Sequence, residues 1–181
     1  MQVRVSRRLS QRISEGDGIA IIVRVEDAAS ARAAEAQGAK AVALSVRIDG
    51  IRDATSLPLL WLGTTGHGDC DAVALRPDVD IAPAGAEAVA DVRDEDELDE
   101  ALERLDPEIF LLSHRGGDDD DDPLELVLEL LADVPAGKLA IAEVPVATRH
   151  DVLALERAGV DAVLVPPGDV AELVGHGPVE V

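Results

Sequence analysis

The sequence predicts a small (βα)8 barrel, and three observations carry that expectation. Short apolar runs recur along 181 residues, with helical or turn-like material between them. These runs are rich in Val, Ile, Leu and Ala without polar alternation, as parallel strands buried on both faces require. Eight such runs joined by right-handed crossovers close naturally into a barrel. A doubly wound open sheet is the alternative arrangement. The length suits one domain spanning residues 1–181, and it is well below the usual ~250 residues of this architecture, so several helices must be short or missing.

Taken in order, strands are expected at Ala20–Arg24, Ala41–Val46, Pro58–Gly63, Ala72–Leu75, Ala88–Val92, Ile109–Ser113, Leu139–Val144 and Ala162–Val165. Helices are expected at Ala28–Gln37, Glu95–Leu105, Leu124–Leu131 and His150–Ala158, with Gly38 and Gly159 placed to end the first and last of them. The linkers around the third, fourth and fifth strands are too short for full helices. Closure of the barrel requires Ala162–Val165 to lie beside Ala20–Arg24.

Composition narrows the function. Apolar residues make up 47% of the chain, which argues for a packed core over disorder. No apolar run approaches the roughly 18 residues of a membrane span, and "MQVRVSRRLSQRISEGDG" lacks a signal-peptide stretch. A soluble cytoplasmic protein is therefore expected. The single Cys70 allows neither an internal disulfide nor a cysteine-based zinc cage. The net charge of −21 repels phosphate backbones and anionic lipid, so neither nucleic acid nor membrane is an expected partner. Only Lys40 and Lys138 are lysines among sixteen basic residues. Abundant carboxylate with little lysine and few aromatics suits a halophilic proteome, where molar salt shortens the Debye length to about 3 Å; a high-GC bacterial composition is the alternative.

Several features that suggest chemistry have simpler readings. The run Asp118–Asp122 lacks the spaced ligands of a calcium loop and reads as a solvated loop whose last carboxylates sit near a helix N-terminus. His67, His114, His150 and His176 show no metal spacing. His67 lies in "GTTGHGD", a Gly-rich loop that could act as a lid but lacks the pattern of a nucleotide-binding P-loop. No metal and no cofactor are expected.

The back half carries a family resemblance. "AEAVADVRDEDELDEAL", "EIFLLSHR" and "GKLAIAEVPVATRHDVLALERAGVDAVLV" resemble the last four βα units of indole-3-glycerol-phosphate synthase. "DAASARAAEAQGAKAVALSV", "SLPLLWLG" and "GDCDAVALRP" are similar to its first helix and second to fourth strands. The resemblance implies a (βα)8 barrel, but most of the family's functional residues are replaced. Its first-strand Glu-x-Lys pair is matched by Ile21 and Val23, and its third-strand acid lysine by Leu62. Its fifth-strand base glutamate is matched by Asp91, its sixth-strand asparagine by Ser113, and its seventh-strand glutamate by Glu143. Pro145, Pro166 and Pro167 stand among its phosphate-binding glycines and have no N–H to donate. Without either lysine the synthase reaction is not expected. Phosphoribosylanthranilate isomerase fits less well, because Cys70 precedes the fourth strand where that reaction needs a cysteine ending the first.

The strand ends suggest a different site. Arg24, Arg47, Arg76, Arg93 and Arg115 follow strands one, two, four, five and six, so five of fourteen arginines would ring one face. Their planar forks suit carboxylate and phosphate, making a small anionic metabolite the expected ligand. The competing reading pairs them with Glu26, Asp49, Asp78, Asp91, Asp94 and the Asp118–Asp122 run to lock the loops. Acid–base candidates on that face are Asp91, Glu143 and His114. Two functions remain open at this point: a non-catalytic module binding a small anion or a protein partner, and a rewired lyase or isomerase of the same superfamily. Strand alternation counted from the family match places Val23 inward and Arg24 toward the helices.

Overall fold

The computed structural model describes residues 7–16, 18–64, 66, 68–78, 84–113, 120–168 and 170–174. Eight parallel strands form a closed barrel in sequence order. They are β1 Ala20–Arg24, β2 Ala41–Leu44, β3 Leu59–Trp61, β4 Ala72–Leu75, β5 Glu87–Val92, β6 Ile109–Ser113, β7 Leu139–Glu143 and β8 Ala162–Val165. Closure is direct: Ala20 to Val23 pair in register with Ala162 to Val165. The open-sheet alternative is thereby excluded.

Among the described residues, seven helices accompany the strands: α1 Arg8–Ser14, α2 Ala28–Ala36, α3 Ile51–Ala54, α4 Glu95–Arg104, α5 Pro123–Asp133, α6 Arg149–Ala158 and α7 Val170–Val174. Only a four-residue helix joins β2 to β3, and no described residue between β3 and β5 is helical. Local signals set the longer helices. Asp27 and Ser30 form a capping box at α2, Thr148 and Asp151 another at α6, and Asp94 accepts from the Glu97 N–H at α4. Asp122 caps α5 by accepting from Leu124 N–H at 2.9 Å, so this end of the aspartate run starts a helix; Asp118 and Asp119 lie outside the described residues. Gly159 ends α6 with φ +104°, a conformation that strains any residue with a Cβ.

The core has two layers. Ala20, Ile22, Leu60, Val89, Leu111 and Leu164 belong to the cluster that fills the barrel. Ile21, Val23, Trp61, Val92, Leu112 and Val165 belong to the cluster between strands and helices. Small alanines such as Ala41, Ala43, Ala72 and Ala162 lie inside among the larger side chains, which lets side chains fill so narrow a barrel. This layering corrects the expected parity of β1. Val23 points outward, and alternation then carries Arg24 inward beside Ile22. The inward positions of β1 are therefore Ala20, Ile22 and Arg24, one residue out of step with the family match.

The bottom of the barrel is sealed. Leu9 and Ile13 of α1 insert into the interior cluster. Glu87, only 6% exposed at the start of β5, accepts from the N–H groups of Leu9 and Ser10 at 2.9 and 3.1 Å. A strand side chain thus caps a helix that has no side-chain cap of its own. Beside it, Asp71 accepts from Leu59 N–H at 2.9 Å and from Arg52 and Arg8 at 3.0 and 3.2 Å. Charged groups at this end therefore hold the fold together, and the opposite mouth is left for function. No helix among the described residues is long and apolar enough to cross a membrane.

Candidate functional site

At the C-terminal mouth, four strands present a short polar arc. Arg24 closes β1 and Glu143 closes β7, separated by β8 and its inward Leu164. Arg24 Nη2 donates to Glu143 Oε1 at 2.7 Å, with both side chains partly open to water. Ser113, buried at the end of β6, is the register partner of Glu143. Its Oγ donates to Asp91 Oδ1 of β5 at 3.2 Å. Asp91, Ser113, Glu143 and Arg24 thus run around the mouth from β5 through β6 and β7 to β1.

The pairing of Arg24 follows from its corrected direction. Turned inward, it reaches across β8 to a carboxylate that the family match also places inward. A cavity of about 320 Å³ opens here, bounded by Arg24, Glu143, Val144, Pro145, Leu164 and Pro166. Its walls are apolar apart from the ion pair. Leu62, at the position of the family's acid lysine, packs against the interior cluster and offers no proton.

Arg76 and Arg93 reach the same end of the barrel over β4 and β5. Both engage Glu97 in the first turn of α4: Arg76 Nη2 donates to Oε1, and Arg93 backbone N–H donates to Oε2 at 2.8 Å. Glu97 was not singled out in the sequence. Its position three residues after the Asp94 cap and four after Arg93 was the available signal. Among the described residues, Arg24 and Arg76 pair with Glu143 and Glu97, neither of which was among the acids expected to neutralise the arginines.

Arg47 is not part of this group. It is exposed on a separate cleft of about 300 Å³ beside the β3–β4 connection, where no described residue is helical, lined also by Asp49, Arg52, Trp61 and Cys70. Gly63 is required there, because a Cβ at that position would come within 2.6 Å of the Trp61 ring. Burial pushes the Cys70 thiol up to about 11, so it is not a thiolate nucleophile at neutral pH. The expected ring of five arginines therefore reduces to Arg24, Arg76 and Arg93 among the described residues. His114, Arg115 and His67 lie outside the described residues.

No protein-family model and no curated protein matches the chain. Solved structures do. The N-acetylmannosamine-6-phosphate 2-epimerase from Clostridium perfringens superposes with a TM-score of 0.65 at 17% identity, covering 84% of this chain and 88% of that one. The thiamine phosphate pyrophosphorylase from Pyrococcus furiosus gives a TM-score of 0.63 at 16% identity, covering 86% and 89%. At such identities the likeness concerns the backbone alone, and what it establishes is that this chain has the (βα)8 barrel fold.

Proposed function

We propose that the barrel binds a small phosphorylated or carboxylated metabolite at its C-terminal mouth and does not perform indole-3-glycerol-phosphate synthesis, as a divergent barrel resembling that synthase. The observation that carries this reading is the inward pair Leu62 and Arg24. Ring closure with loss of carbon dioxide and water needs an acid against a carbonyl, and Leu62 has no proton to give. Loss of one general acid alone typically costs about 10²–10⁴ in rate. Arg24 holds its charge permanently and presents five donors, of which Glu143 occupies one end. An incoming anion can take the remaining donors or displace Glu143. Titrating the purified chain with sugar phosphates and anthranilate derivatives tests the reading. Saturable binding without turnover supports it, and measurable indole-3-glycerol-phosphate synthesis overturns it.

A second reading is favoured by one contact. The Ser113 hydroxyl holds Asp91 on the inner side of β5, and Glu143 faces inward two strands away. Two such carboxylates can remove and return a proton in a lyase or isomerase acting on the same class of ligand. One structural neighbour is named as an epimerase of a phosphorylated sugar, which is compatible with this reading. Turnover of any panel member that Asp91→Asn abolishes, with binding retained, selects the enzyme over the binding module.

A further inference from the structure

Arg76 and Arg93 follow the adjacent strands β4 and β5, and one carboxylate tethers both, Arg76 by its guanidinium and Arg93 by its backbone. Glu97 receives Arg76 Nη2 on one oxygen and the Arg93 backbone N–H on the other. The Arg93 guanidinium itself donates to no described residue. Arg76 Nη1 and Arg93 Nε are both sealed from water without a hydrogen-bond partner among the described residues. Donors on a cation that have lost water and gained no acceptor are costly, and a built structure retains them where something else supplies the acceptor. The side chains of Arg76, Arg93 and Glu97 together carry a net positive charge within a chain of net charge −21.

The opposite side of the mouth offers fewer such donors. Barrels of this kind frequently hold phosphate on the loops after strands seven and eight. Here Pro145, Pro166 and Pro167 remove N–H donors from those loops, and Arg24 is already bonded to Glu143.

Resting on the reading that the mouth takes a small anion, we infer that its ligand is a phosphate monoester whose phosphoryl group is held by Arg76 and Arg93 beside β4 and β5. A tetrahedral dianion has oxygens for two forks at once, whereas one carboxylate satisfies one fork. Glu97 is a positioning residue: it fixes Arg76 and the Arg93 backbone and leaves the remaining donors to the ligand.

Calorimetric titration of the full chain with inorganic phosphate and with glycerol 3-phosphate, at constant ionic strength, tests this. Arg76→Gln and Arg93→Gln should each weaken both ligands about tenfold or more, the effect of losing a charge-assisted hydrogen bond. Arg32→Gln, which removes the same charge from an exposed position on α2, should leave them unchanged. Affinities within about threefold of the unmodified chain in both variants overturn the inference, as does absence of phosphate binding at about 10 mM. Loss of binding in Arg24→Gln alone also overturns it, by moving the anion to β1 and β7. Should either variant fail to fold, arginine side-chain NMR of the unmodified chain decides: the Arg93 Nε–H resonance shifts on saturation, and a stationary resonance overturns the inference. The broader anion reading has its own failure, the absence of binding by every phosphorylated or carboxylated metabolite in the panel.

Discussion

Val23 and Arg24 are neighbours in the chain and opposites in surroundings. Val23 is 1% exposed in the layer between strands and helices, while Arg24 lies at the watered mouth. A cation is therefore tolerated at one position and not at the next. Val23→Lys should destabilise the barrel by several kcal/mol, on the order of 3 or more, because a buried ammonium there has no partner. Arg24→Lys should melt close to the unmodified protein, and thermal denaturation of the two variants checks the contrast. Neither change should yield indole-3-glycerol-phosphate synthesis, since Leu62 still supplies no acid; a product assay on Arg24→Lys checks this. The sequence could not reveal which face was which. "AIIVR" is apolar on both sides until its last residue, so the two-residue period that marks an inner face is invisible in β1. In β5 the alternation of Glu87, Val89 and Asp91 with alanines and valines is readable, and there the expected inward Asp91 agrees with the layering.

Helices show where local chemistry is sufficient and where it is not. Helices α2, α4, α5 and α6 were legible to within two residues because caps, glycines and an apolar stripe agree. Helix α1 was not: "RLSQRIS" has only Leu9 and Ile13 as apolar positions, and its cap comes from Glu87, 78 residues away from Leu9. The four- and five-residue helices α3 and α7 are too short for periodicity to register. Thr148→Ala removes the α6 cap and should cost about 1 kcal/mol, seen as a melting temperature lower by about 2–4 °C. Asp151 of the same capping box accepts the backbone N–H groups of Ala147 and Thr148, which hold its carboxyl below the usual range. A lowered native pKa stabilises above the unfolded value and is lost as pH falls through the native one. The melting-temperature deficit of Asp151→Asn should thus be full at neutral pH and shrink as the pH falls below about 4. Leu9→Ala empties part of the barrel's lower interior and should cost about 2–5 kcal/mol by chemical denaturation.

At the scale of the molecule, the charge of −21 sits on a chain of 19.0 kDa, and self-repulsion opposes the compact state. If that surface is a halophilic adaptation, the melting temperature should climb steeply between about 0.1 and 2 M KCl as screening shortens its range. A flat or falling profile would assign the composition to something other than salt. The sealed bottom of the barrel carries a different consequence, one of timing. Helix α1 leads the described chain, yet its docking partner is Glu87, and β1 must wait for β8 before the ring shuts. The contacts that complete the structure therefore span most of the chain, and loop closure must be met before they contribute. A nascent chain can form single βα units early, but its first helix remains undocked until β5 has emerged, and its first strand keeps an open edge until the eighth follows. The same late contacts are the ones that must break first for the barrel to open, so the stopper and the β1–β8 seam are where unfolding should begin and where a protease should find its earliest cut.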